Sequence, residues 1–225
     1  MLTKRIETIT DCLIIDEVQD ISSRDFDLIT YFSNADVELL YVGDFYQHTY
    51  QTSSDGNYKS RLYDNFDKYI KEFCNAGFAV DMTTLSKSYR CSKTICDYIT
   101  NELEINIQSY GSEKTIIKEI KDKQKISELL KDDNIAKLHL KESYHYSGNH
   151  KNWGEVKGED NHNDICIILN PTTYKMFVNN TLSNLNPITK AKLYVAVTRA
   201  RRNVYFINSK EIDFLKNMIF KPLIK

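Results

Sequence analysis

Glycine and proline are scarce in this chain, with 7 and 3 residues out of 225. That scarcity excludes a Gly- or Pro-rich linker and leaves each such residue worth reading where it falls in a motif. Gly43, Gly56, Gly77, Gly111, Gly148, Gly154 and Gly158 are all there are, and none belongs to a GxxxxGK[ST] run. The chain therefore holds no glycine-rich loop able to cradle phosphates by itself. Cysteine pairs are missing too: Cys12, Cys74, Cys91, Cys96 and Cys166 form no CxxC, and their odd number fits reduced thiols in a cytoplasm. No run approaches the ~20 apolar residues of a membrane span, and the opening MLTKRIETITD has no signal-peptide core, so a soluble, cytoplasmic protein with no membrane partner is expected. A net charge of −1 excludes a molecule that is basic as a whole, so an acidic partner needs a local patch.

What is present is an ordinary globular composition, 41% hydrophobic and 27% charged. The run LIIDEVQD (residues 13–20) leaves an aliphatic segment directly for three acids. Residues 13–15 read as a buried strand of a parallel sheet ending at Asp16. Residues 22–32 have helical spacing behind Ser22 or Ser23, and VELLYV (37–42) is a second strand that stops at another acidic loop, GDFYQ. Strand, helix and strand joined by short connections make a βαβ crossover, and both acidic loops fall on the sheet edge where ligands bind.

Residues 58–73 read as a helix, 78–85 as a strand, and a helix capped by Ser92 runs to about residue 104. The alternating charges of 113–133 read as one or two solvated helices. Residues 135–140 form a short strand, 143–164 a loop, ICIIL a strand, and KAKLYVAVTRA with NVYFI a last helix and strand. The alternation resumes after residue 85, so two α/β units are expected, divided at residues 82–84.

A carboxylate at a strand tip is costly unless a cation meets it, which makes Asp16 a candidate ligand of a hydrated Mg²⁺ beside phosphates. Glu17 can orient or deprotonate an attacking water. A solvated turn after a strand explains the same acids as simply. DEVQD resembles the Walker B segment, motif II, of superfamily 1 helicases of the UvrD-like type, and four further motifs follow in that family's order. VGDFYQ is similar to motif III, which implies that Gln47 senses the γ-phosphate and that Asp44 braces the loop. LSKSYRCS is similar to motif IV, which implies a base-stacking Tyr89 and a phosphate-reaching Arg90. VKGEDNHNDICIIL resembles motif V, with Glu159 at the ribose and Lys157 and Gly158 on the phosphate or nucleic-acid side. LYVAVTRA resembles motif VI, which makes Arg199 the arginine finger. A structural amphipathic helix is the plain alternative for this last motif.

The resemblance implies an α/β fold of two RecA-like lobes, P-loop NTPase in type, with parallel sheets and flanking helices. Residues 1–82 correspond to the carboxyl-terminal part of the first lobe, which is incomplete, and 83–225 to the second, without a large 2B insertion. It implies ATP and Mg²⁺ as cofactors and single-stranded DNA as partner. The acids of the first lobe and the arginines of the second would share one triphosphate. Where the family stacks bases after motif III this chain reads HTYQTSSD, so Tyr50 is kept while Thr52 and Ser53 replace the larger groups; Lys192 and Arg201 are further DNA-side candidates.

The expected activity is ATP hydrolysis coupled to movement on single-stranded DNA. Without the GK[ST] loop the isolated chain is expected to be inactive until an amino-terminal helicase half completes it. The alternative is a non-catalytic remnant that regulates by binding DNA or protein. A metal-dependent nuclease using Asp16, Glu17 and Asp20 carries less weight, because two-metal sites need carboxylates converging from several elements.

Overall fold

The computed structural model describes residues 2–49, 58–59 and 61–215. In the first of its two units, Met1–Thr83, helix α1 (Leu2–Ile9) leads into strand β1 (Cys12–Ile15), and helix α2 (Ser23–Tyr31) carries the chain to strand β2 (Glu38–Tyr41). The strands pair in parallel with Cys12 opposite Glu38 and Ile15 opposite Tyr41. Helix α3 (Phe66–Asn75) follows, opened by Asn65, whose side chain accepts the Lys68 amide hydrogen. Aromatic rings hold this unit together. Phe26 of α2 meets Phe73 of α3 edge to face at 5.1 Å, and Phe45 meets Tyr69 at 5.2 Å. Val18, Ile29, Leu62 and Tyr63 complete the core, with Ile15 and Tyr41 packed on it from the sheet.

Three expectations fail here. Strand β1 is not buried: exposure alternates along both strands, with Ile14 63% and its partner Leu40 50% exposed. Two strands that have only each other bury one face, and no described element covers the other. The helix read from residue 58 starts only at Phe66, because the 3₁₀ turn Leu62–Asp64 turns Leu62 and Tyr63 into the core first. Residues 78–85 form no strand; Phe78 packs its ring tilted against Tyr41, at 4.9 Å.

The second unit, Thr84–Lys225, opens with strand β3 (Lys87–Ser88), helix α4 (Lys93–Leu103) and strand β4 (Gln108–Ser109), with β3 and β4 paired in parallel. Ser92 caps α4, its hydroxyl accepting from the Ile95 amide. Then come β5 (Ile117–Glu119), α5 (Lys123–Lys131), β6 (Ala136–His139), β7 (His150–Asn152), β8 (Ile165–Leu169), α6 (Pro171–Val178), α7 (Pro187–Thr198) and β9 (Val204–Asn208). Five of these strands form one parallel sheet in the order β5-β9-β8-β6-β7.

The central strand β8 is buried at all five positions, the pattern of a strand covered on both faces. On one face Ile126 and Leu130 of α5 pack with Cys166, Ile168 and Ile207. The second half of helix α7 is buried from Leu193 through Thr198, so its LYVAVT run is enclosed and not an amphipathic surface, while Ile188 at its start is exposed. Pro171 and Pro187 each stand at a helix start, behind capping Asn170 and Asn186.

The expected helices of 113–133 resolve into one strand and one helix. Ile117–Glu119 becomes β5 because its backbone pairs with β9, and tertiary pairing overrides a charge pattern that reads as helical. The expected loop 143–164 contributes edge strand β7. Among the described residues, no helix is long and apolar enough to cross a membrane.

At the β6–β7 edge His139 Nε2 and His150 Nδ1 lie 2.8 Å apart, and Tyr146 stacks on both rings at 4.2 and 5.1 Å. Burial, together with the neighbouring His150, pushes His139 down to about 3; burial, then the charge of Lys137, pushes His150 down to about 4. Both rings stay neutral in the fold while an unfolded histidine takes a proton near 6.5. Their contribution to stability is therefore complete above that pH and is lost as pH falls from 6.5 toward 4. Urea unfolding between pH 7.5 and 4.5 should show a slope of up to about 1.4 kcal/mol per pH unit from His139. A His139→Gln variant should flatten the curve over that window; an unchanged slope would contradict the assignment.

Candidate functional site

In the first unit β1 delivers Asp16 to the strand tip, where it is exposed and its Oδ1 accepts the Glu17 amide at 2.8 Å. Glu17 turns the chain in the left-handed region, φ 53° and ψ 41°, a conformation that disfavours a residue with a side chain. What holds it there is Gln19, completely buried. The Gln19 amide group donates from Nε2 to Glu17 Oε2, and its Oε1 accepts the Asp44 backbone N–H at 3.0 Å. The Gln19 carbonyl meets His48 Nδ1 at 2.7 Å, and the His48 ring lies flat on Tyr63 at 3.6 Å.

Asp44 organises the second loop. Its Oδ1 accepts from the Tyr46 amide at 3.0 Å, and its Oδ2 from Gln47 Nε2 at 3.1 Å. The two loops after β1 and β2 are joined again along the backbone, Val18 N–H donating to Val42 at 3.0 Å. Gly43 makes the approach possible: a Cβ there would lie 2.2 Å from Gln19 Oε1. Asp16, Glu17, Asp44 and Gln47 thus belong to one hydrogen-bonded unit.

A Mg²⁺ ion keeps most of its waters and takes one or two carboxylates besides substrate phosphates, so an exposed Asp16 at a strand tip fits that ion. Among the described residues no group of three or more His, Cys, Asp or Glu side chains could hold a metal alone.

In the second unit Arg90, just before α4, forms an ion pair with Asp160. Arg199 sits one residue past α7 and is only 2% exposed. Its Nε donates to the Val195 carbonyl at 3.3 Å, Nη1 to the Glu159 carbonyl at 3.4 Å and Nη2 to Thr198 Oγ1 at 3.4 Å. Burial first, and then the positive charge of Arg90, lowers the Arg199 pKa from the usual guanidinium range. Among these contacts its partners are two carbonyls and a hydroxyl, and none is a carboxylate.

Glu159 is engaged already. Its carboxylate accepts Lys151 Nζ at 2.6 and 2.8 Å and meets His162 Nε2 at 2.6 Å. Burial pushes this carboxyl up, but the hydrogen bonds from Lys151 and His162 outweigh it and leave it below the usual range. A ribose at Glu159 must therefore share the carboxylate with two partners. Gly158 takes φ +81°, a turn favourable to glycine, between Lys157 and Glu159. The 159–164 loop is sewn to the end of α7: Arg201 and Arg202 amides donate to the His162 and Asn163 carbonyls at 3.0 and 2.7 Å.

Tyr89 is 82% exposed and stacks on Tyr110. Lys192 is half-exposed on α7, while Arg201 is exposed beyond its end and not on the helix. Tyr50 lies outside the described residues, with Thr52 and Ser53. Sequence reasoning missed Gln19, His48, Lys151, Asp160, His162 and Tyr110. Gln19 had a signal, its place inside DEVQD; the others act through partners that only the fold brings near.

Over residues 1–208 the chain matches the viral superfamily 1 RNA helicase core domain. Among solved structures it resembles the PRRSV helicase, at 16% identity and a TM-score of 0.51, over 93% of this chain and 37% of that one. It also resembles arterivirus nonstructural protein 10 (helicase) in complex with DNA, at 14% identity and a TM-score of 0.53, over 94% of this chain and 40% of that one. At such identities the likeness shows the fold, and the chain spans about two fifths of the length of these structures. A search of curated proteins finds no match.

Proposed function

This chain belongs to the family of the viral superfamily 1 RNA helicase core domain, and on that premise we propose that it is a nucleoside triphosphatase module that couples ATP hydrolysis to movement along a nucleic-acid single strand. Asp16 would hold Mg²⁺, which would draw charge from the phosphates when bound. Glu17 orients or deprotonates the attacking water. Gln47 reports on the γ-phosphate, Tyr89 stacks on the base, and Arg90 and Arg199 meet the phosphates. Lys157, Gly158 and Glu159 line the nucleotide side, with Lys192 and Arg201 toward the strand.

The observation that carries this reading is the pair of guanidiniums in the second unit. Arg90 and Arg199 come from elements far apart in sequence and meet at the adjacent residues Glu159 and Asp160. Arg199 gives hydrogens to three neutral protein oxygens but to no carboxylate, and a polyphosphate would supply charged oxygens to it and to Arg90.

The finer proposal, from the UvrD-like form of the motifs, is that the strand is DNA. The sequence has no GxxxxGK[ST] run, so we place the phosphate loop on a further segment that pairs with the open sheet of the first unit. The five cysteines are free thiols, which suits the reducing cytoplasm we propose for it.

The test is Mg-ATP turnover by the chain alone and with a GxxxxGK[ST]-bearing segment supplied in trans, each with single-stranded DNA and RNA of equal length. We expect turnover only from the pair, and stimulation by DNA. Turnover by the chain alone would contradict the need for the segment. Equal or greater stimulation by RNA would contradict DNA. A non-catalytic regulator is the second reading, favoured by the uncovered face at Ile14 and Leu40; binding of the added segment and DNA without any turnover would support it over ours.

A further inference from the structure

Tyr89 and Tyr110 make an exposed aromatic pair, their ring centroids 4.5 Å apart and their planes 26° from parallel. They remain 82% and 66% exposed, a large apolar area to leave in water. The pair is held from below. Strands β3 and β4 align Ser88 with Ser109, and the Tyr110 amide donates to the Ser88 carbonyl at 2.9 Å. Ser88 Oγ accepts the Cys91 amide at 3.0 Å, and Ser109 Oγ donates to the Cys91 carbonyl at 2.8 Å. The turn that presents Tyr89 and Arg90 is therefore fixed to the strand that presents Tyr110. An aromatic face and a phosphate-binding guanidinium leave this turn at consecutive positions, the two chemistries that a nucleotide requires.

We propose that Tyr110 is a positioning residue that backs Tyr89, so that the pair presents a preset face to the purine base of a nucleoside triphosphate. The inference rests on the reading of Tyr89 as the base-stacking residue. A lone exposed tyrosine must give up ring rotation when a base lands on it; a ring already stacked has given it up beforehand. Tyr110 does not touch the base.

The experiment follows the ring signals of Tyr89 and Tyr110 by NMR in the full chain with labelled tyrosine. Mg-ATP, base-less ribose triphosphate with Mg²⁺, and an oligothymidylate are titrated into wild type, Tyr110→Ala, Tyr110→Leu and Tyr110→Phe, each with the GxxxxGK[ST]-bearing segment present in saturating amount. Saturable movement of the Tyr89 signals with ATP is expected. Tyr110→Ala and Tyr110→Leu should weaken ATP by roughly 2- to 12-fold, the worth of one aromatic pair, and leave the base-less triphosphate unchanged. Tyr110→Phe should match wild type. ATP affinity unaltered in both ring-less variants overturns the role of Tyr110, as does an equal loss for the base-less compound. Ring signals that answer only to the oligonucleotide overturn the nucleotide assignment. Wild-type rings that ignore ATP altogether overturn the reading of Tyr89 and this inference with it.

Discussion

Replacement of Arg199 by lysine is expected to lower nucleic-acid-stimulated turnover roughly 10³- to 10⁵-fold, the range seen when a phosphoryl-transfer site loses its arginine. Lysine keeps the charge and most of the stem but not the planar fork that grips two oxygens at once. The structural cost is smaller. Arg199 makes three long hydrogen bonds, at 3.3 to 3.4 Å, to Val195, Glu159 and Thr198. Losing such contacts costs about 1 kcal/mol each, about 3 kcal/mol in all, so the variant should melt roughly 6–12 °C lower yet remain folded at 25 °C. Turnover of the completed enzyme and a melting curve on the same preparation separate the two effects. A variant with wild-type turnover would show that Arg199 only props the end of α7.

Gly43→Ala should also be damaging, less so in turnover, for a steric reason. The new methyl would sit 2.2 Å from Gln19 Oε1 and 3.0 Å from Val18 Cγ1, against a buried side chain and the backbone beside it. Gln19 must swing away and release both Glu17 and the Asp44 amide. Overpacking of this kind costs about 1–3 kcal/mol. The misplacement of Glu17 should cost turnover roughly 10²-fold, as small displacements of reacting groups do.

A Gln19→Ala background supplies the check. There the added methyl at residue 43 loses its worst contact, keeping only the 3.0 Å approach to Val18, so Gly43→Ala should lose much of its effect on stability while turnover stays low. If the two substitutions add in stability as independent changes, the clash with Gln19 is not the cause.

The uneven legibility of this fold has a physical basis. Strands β1, β2, β8 and β9 were readable because apolar runs are local facts of the chain. Strands β5 and β7 were not: Ile117–Glu119 and His150–Asn152 are polar edge segments whose strand state comes from the neighbours β9 and β6. The same holds for β3 and β4, two residues each. Helix α3 was placed too early because a helical pattern does not show where Leu62 and Tyr63 must turn inward.

For the candidate site, the identities of Asp16, Glu17, Gln47, Arg90 and Arg199 could be proposed from motif order, since each motif is contiguous. Their supports could not. Asp160 on Arg90, and Lys151 with His162 on Glu159, are charge partners chosen by loop geometry. Tyr110 reaches Tyr89 only through the β3–β4 pairing.

By itself the sequence determined where the apolar strands β1, β2, β8 and β9 fall, the order of the motif-like runs and the absence of a GxxxxGK[ST] run, all of them properties of local pattern. Tertiary structure alone decided that Gln19 and Gly43 lock the two acidic loops together, that Arg199 is buried, and that β1 and β2 keep one face in water. Those features depend on which distant groups come within a few ångströms, and close packing settles that for the chain as a whole.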